Sequence, residues 1–329
     1  MAENLSEATI THRQFAPVGR CIYCGSEDNK EDLTREHILP FSLGGRLVLP
    51  KSSCSRCAHI TRDFEREITR KMLWILRLVC NFPTRKRRER PFELPLQVTV
   101  HGEEKTVVVP VSRYPAAPVR LPIYELPGLL RGVVPGSGFG PVKHVSVTPA
   151  LADQNERFDK LAEQLGTKEL KFNIPFSVLH KEFLQLLAKI AHSAAIAEFG
   201  FGSFEPMTIP IILGKDFTHC ADLIGSLPGP EWKPVTDIST SIYRFSVTDL
   251  RYSFYDDAGA LLRVESRCYL LAGIRLFQER SDPATPLYCV VVGIPSDALK
   301  RFLEEKSLPE ARVSLQHKSL DPRVADFRS

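Results

Sequence analysis

Cys21-Ile-Tyr-Cys24 and Cys54-Ser-Arg-Cys57 bracket the tripeptide Arg35-Glu36-His37. Each pair is a C-x2-C knuckle that presents two thiolates to one side of an ion. Two knuckles about thirty residues apart supply what a tetrahedral four-thiolate zinc site needs. Zinc at Cys21, Cys24, Cys54 and Cys57 is expected to be structural, because four thiolates leave no open coordination position. Its binding would supply much of the folding free energy of so small a unit, on the order of 10 kcal/mol at neutral pH. The acidic residue followed by a histidine, held between the knuckles, points to a second centre where a bound metal and a general base work together.

Downstream of the second knuckle, Ile60, Phe64, Ile68, Met72, Leu76 and Val79 recur every three or four residues. Arg62, Asp63, Arg66 and Glu67 take the other face, so the spacing predicts an amphipathic helix that Pro83 stops. A basic run follows, Thr84-Arg-Lys-Arg-Arg-Glu-Arg90. Leu96–Val100 and Lys105–Val109 then flank His101-Gly-Glu-Glu104, which reads as a β-hairpin with a four-residue loop. Tyr114 to Pro141 is rich in proline and glycine and reads as an extended linker.

Beyond it, the pattern predicts a short strand at Val145–Val147 and a helix at Asn155–Leu165 closed by Gly166. A long helix runs from an N-cap at Ser177 to Phe199, with Gly200 after it. Strand-like segments at Ser241–Thr248, Leu261–Phe277 and Leu287–Ile294 suit an antiparallel sheet. A short helix at Ser296–Leu308 and a polar tail end the chain. The fold class is α+β. The organisation is a flexible N-terminus (1–18), a zinc module with its helix (19–82), a basic loop, hairpin and linker (83–142), and an α+β region of unknown role (143–329).

Composition narrows the function. Of 329 residues 43% are hydrophobic and 25% charged, with a formal net charge of +4, so affinity for nucleic acid must come from local clustering of charge. The N-terminal stretch has no basic segment followed by an apolar one, and no run of eighteen apolar residues occurs. A cytoplasmic protein without a membrane partner is expected. Cys80, Cys220, Cys268 and Cys289 lack ligand spacing and read as free thiols.

Taken together, Cys21-x2-Cys24, Glu36-His37-Ile38-Leu39-Pro40, Leu43-Gly44-Gly45 and Cys54-x2-Cys57 resemble the HNH endonuclease family in its zinc-stabilised branch. The resemblance covers roughly Cys21 to Glu67 and implies a treble-clef-like ββα-metal motif, two strands and a helix gripping one divalent ion. It implies that His37 takes a proton from water and that Glu36 ligates a hard ion such as Mg2+, which stabilises charge on the phosphate. The family often places an asparagine where this chain has Arg46, and a last ligand where it has Ala58. His59, one residue on, is the substitute ligand, with Asp63 a turn further.

Arg46, Lys51, Arg56, Arg62 and the run Arg85, Lys86, Arg87, Arg88 and Arg90 form the expected phosphate-contacting footprint. Metal-dependent hydrolysis of phosphodiesters in nucleic acid, with DNA the expected substrate, is the function implied. The rival is a non-catalytic zinc adaptor that binds nucleic acid or protein. A protein partner or small effector at the C-terminal region fits either reading. Target sequence and oligomeric state are not encoded in these motifs.

Overall fold

The computed structural model describes residues 15–27, 32–84, 87–116, 118–148, 151, 153–167, 171–174, 176–227, 243–255, 261–276, 285–306 and 314–319. Most of the N-terminal segment expected to be flexible, Arg85, Lys86 and the side chain of Arg87 lie outside these residues.

β1 (Thr34–His37) and β2 (Val48–Ser53) form an antiparallel pair with Glu36 opposite Leu49 and His37 opposite Val48. The Gly44-Gly45 turn joins them. Gly44 has φ +86, and a Cβ on Gly45 would lie 1.8 Å from the Leu39 carbonyl oxygen, so no side chain fits at that position. α1 (Ser55–Glu67) passes through a π-helical turn at Ile68–Met72 into α2 (Trp74–Val79). The helix expected from the apolar period is therefore present, but interrupted. Arg77 donates to the Thr69 carbonyl at 3.0 Å, within the widened turn, and to the Ser42 carbonyl at 2.9 Å.

β3 (Glu93–Val100) and β4 (Glu103–Pro110) make the expected hairpin with a tighter turn. His101 and Gly102 alone form it, at φ 52° and 84°, and Glu103 and Glu104 pair with Val100 and Thr99. The Tyr114–Pro141 segment is not a free linker. It holds β5 (Val119–Ile123), a helical turn α3 (Gly128–Arg131), and leads into β6 (Lys143–Val147), which pairs with β5. Asp222 binds it in place by accepting from the Gly136 N–H at 2.7 Å and from His219 Nδ1 at 2.8 Å. The segment packs closely against Gly225, where a Cβ would stand 2.2 Å from the Glu125 carbonyl oxygen.

α4 (Gln154–Gln164) ends near Gly166 at φ +64, and β7 (Lys171–Asn173) joins β3. α5 (His180–Phe199) is the centre of the molecule, with every residue from Phe183 to Ile196 buried. β8 (Phe204–Pro206), α6 (Ile209–Ile212), α7 (Cys220–Leu223) and β9 (Ile224–Leu227) follow. β10 (Tyr243–Tyr255), β11 (Leu261–Ile274), β12 (Leu287–Pro295), α8 (Asp297–Lys306) and β13 (Ser314–Ser319) complete the described chain.

The main sheet runs β13-β10-β11-β12-β8, with β9 also on β12; its pairings are antiparallel except β13 on β10. β13 falls where the sequence reads as a polar tail. α5 packs against α1, α6, β11 and β12, which together cover it. This long helix is thus enclosed, and its polar residues must find partners inside. Among the described residues no helix is long and apolar enough to cross a membrane.

Candidate metal centre and active site

The cysteine cluster is built by two local devices. Cys21 N–H binds the Ser26 carbonyl and Gly25 N–H the Cys21 carbonyl, both at 2.9 Å, which closes the first knuckle over Gly25 at φ +73. Ile22 N–H binds the Ser52 carbonyl at 2.8 Å and Gly19 N–H the Lys51 carbonyl at 2.9 Å, so the knuckle lies along β2. Cys54 caps the start of α1, and Cys57 stands in its first turn. The four sulfurs lie within 4.8 Å of one another, and Cys24 Sγ is 3.7 Å from Cys54 Sγ. A tetrahedron with metal–sulfur bonds near 2.3 Å has an edge of about 3.8 Å, so the cluster has the size of a zinc–tetrathiolate site.

Its electrostatics agree. A hydrogen bond from the Cys57 thiol holds Cys21 down at about 4, while the same contact and burial push Cys57 up and burial raises Cys24. Without a cation the cluster tolerates one thiolate readily and resists further ionisation, as crowded like charges must. A divalent ion removes that conflict. Cys80, Cys220 and Cys289 are buried thiols and Cys268 is half-buried, as free cysteines of this kind were expected to be.

β1 points Glu36 and His37 to opposite faces, as a strand does with adjacent residues. His37, at the strand's end, is half-buried, with its ring 5.9 Å from that of Phe41 in an edge-on arrangement. Glu36 faces inward and is 6% exposed. Its Oε1 lies 2.9 Å from Lys189 Nζ on α5, and the same ammonium stands 2.9 Å from Glu65 Oε1 on α1. Burial opposes the charge on Lys189, but the two carboxylates outweigh it and hold the ammonium above its ordinary range. Burial raises Glu65, with Lys189 pulling the other way. Beside them the Tyr23 hydroxyl is pushed well up by burial and by the charges of Glu36 and Glu65.

Glu36, expected as a metal ligand, is paired with a buried ammonium, so the acidic residue of the Glu-His pair faces the interior. His59 is the other expected ligand. It is exposed on α1, and its Nδ1 lies 3.1 Å from Asp63 Oδ2, which Arg66 also pairs at Oδ1. With Nδ1–H given to the carboxylate, Nε2 carries the lone pair, the tautomer a metal-binding histidine needs. Among the described residues the four cysteines are the one set of three or more such side chains whose ligand atoms converge.

Residues 21–73 match the HNH endonuclease family model. The matched span begins at the first knuckle cysteine and ends with the π-turn, so it takes in both Cys pairs, β1, β2 and α1. It ends more than a hundred residues before Lys189. Neither the curated proteins nor the solved structures include a match to this chain.

Around the HNH span, Arg46, Lys51, Arg56 and Arg62 are exposed, as is Arg88. Arg90 is engaged instead: it donates to Asn81 Oδ1 and to the Arg77 carbonyl, each at 2.6 Å, and so caps the end of α2. Its guanidinium thus serves the end of the helix. Lys189, Glu65 and His192 were not singled out by the sequence, although one signal was there. Leu186-Leu-Ala-Lys189-Ile-Ala-His192 sets two basic residues in an apolar run, and a lysine so placed needs buried acceptors.

Proposed function

We propose that the chain is a zinc-stapled HNH nuclease that hydrolyses phosphodiester bonds in nucleic acid, with DNA as the substrate. The observation that supports this best is the HNH match over a span that holds both His37, half-buried at the end of β1, and a four-cysteine clamp. Zinc fills the clamp and fixes β2 against α1. His37 accepts a proton from the attacking water. The exposed Arg46, Lys51, Arg56 and Arg62 hold the phosphate backbone.

A catalytic divalent ion, when bound, supplies charge stabilisation for the phosphate and the leaving oxygen. Of the expected ligands, His59 fits and Glu36 does not. His59 would hold such an ion by a ring nitrogen, a ligand that suits a transition-metal ion better than Mg2+. Lys189's hold on Glu36 gives the second reading its one support: a zinc adaptor that binds nucleic acid or protein without cutting.

Purified protein incubated with plasmid and Mg2+ or Mn2+ decides between them. Wild type is expected to cut and His37→Ala to lose at least about a hundredfold in rate, the scale of a general base. Equal cutting by both would remove His37 as the base. Binding without cutting in any divalent ion would favour the adaptor.

A further inference from the structure

Lys189 Nζ touches more than carboxylates. It donates to the backbone carbonyl of His37 by a short hydrogen bond and approaches the Ile38 carbonyl at 3.3 Å. With Glu36 and Glu65, one ammonium carrying three N–H donors meets four acceptors, two of them the carbonyls that follow the His37 side chain. Lys189 is 0% exposed and 152 residues away in sequence. Three residues on, His192 Nε2 lies 2.8 Å from the Ile22 carbonyl, inside the first knuckle. One face of α5 therefore grips both β1 and the metal knuckle.

We propose that Lys189 is a positioning residue for the nuclease site, fixing the backbone that carries the His37 imidazole. The inference rests on the nuclease reading given above. Stability alone does not account for the arrangement. Two carboxylates and one ammonium removed from water are costly, and apolar side chains of the same volume often hold a fold as well or better. What the ammonium supplies, and an apolar group cannot, is a directional anchor on the carbonyls of His37 and Ile38. Strand pairing reaches Ile38, whose N–H binds the Leu47 carbonyl at 3.0 Å, and the ammonium adds a second anchor on the two carbonyls. A base displaced by about 1 Å from its water loses on the order of a hundredfold in rate.

The test uses the full, zinc-loaded chain. Lys189→Met alone leaves Glu36 and Glu65 facing each other in the interior, so it is combined with Glu36→Gln and Glu65→Gln to keep the volume and remove the buried charge. The triple variant is expected to keep its zinc, a cooperative melt and the wild-type KM for plasmid, while kcat falls ten- to a hundredfold. In carbon-13 histidine spectra the His37 ring signal should shift and broaden while those of His59 and His180 stay put.

A triple variant with wild-type kcat and an unmoved His37 signal overturns the proposal. Loss of zinc or of the cooperative melt overturns it too, since the triad would then be holding the fold rather than the imidazole. Wild-type protein that cuts nothing defeats the nuclease reading instead. The His37 signal still decides the clamp in that case: moved in the triple variant it stands, unmoved it falls.

Discussion

Two staples hold the HNH span, and they work by opposite means. At one end, four sulfurs from two knuckles surround a site with the dimensions of bound zinc. At the other, Lys189 brings a positive charge from α5 to Glu36 and Glu65. The first is local, since each knuckle is a four-residue motif whose ligands come as neighbours. The second joins β1 and α1 to a helix far along the chain, which neither element's own sequence specifies. Short-range chemistry closes the motif; long-range chemistry ties it to the rest of the molecule.

The largest effect should come from breaking the sulfur staple. Cys54→Ser is expected to lose zinc and to unfold the N-terminal span, a loss on the order of 10 kcal/mol of metal-linked folding energy. Metal analysis together with limited proteolysis checks it, and full zinc retention by the variant would contradict the four-cysteine assignment.

A smaller effect sharpens the α5 side. Burial holds His192 down at about 4, and its Nε2–H already serves the Ile22 carbonyl while Nδ1 has no partner. A second proton would therefore sit unpaired in the interior. The unfolded chain binds that proton near its ordinary 6.5 and the folded chain only near 4, so stability is full above about 6.5 and falls as pH drops through that window. At about 1.4 kcal/mol per pKa unit, roughly 3 kcal/mol is lost. Urea melts of wild type and His192→Gln between pH 7 and 4.5, both with excess zinc, should converge as acid removes the wild-type advantage. A pH-independent gap between them would refute the assignment.

The smallest effect separates a cap from a phosphate contact. Arg90→Ala should cost about 1 kcal/mol through the freed carbonyls of α2 and leave the salt dependence of nucleic-acid binding unchanged. Lys51→Ala should do the reverse, lowering the salt slope by about one with little change in melting. A matching drop in slope for Arg90→Ala would return it to the interface.

The same contrast explains what the sequence made legible. The knuckles, the apolar period of α1 and α2 and the β3–β4 hairpin rest on interactions within a few residues, and each is present. The turn between β3 and β4 was read too long because His101 at positive φ carries none of the usual Asn-Gly signal. Proline and glycine between Tyr114 and Pro141 announce an irregular backbone but not whether it is covered, and Gly225 shows that it is. Glu36 was read as a ligand because the resemblance to HNH nucleases implies one there, while the cation it faces lies on α5. No local pattern could have named that partner, although the lone lysine in an apolar helix hinted that one was needed.

The 152 residues between His37 and Lys189 also set an order of events on the ribosome. At roughly 5–20 residues per second, the nascent chain carries its imidazole for about ten to thirty seconds before its anchoring ammonium is synthesised. During that interval a zinc knuckle can close, yet Glu36 and Glu65 have only each other for company. The HNH span therefore waits for its buried cation until the central helix has been delivered.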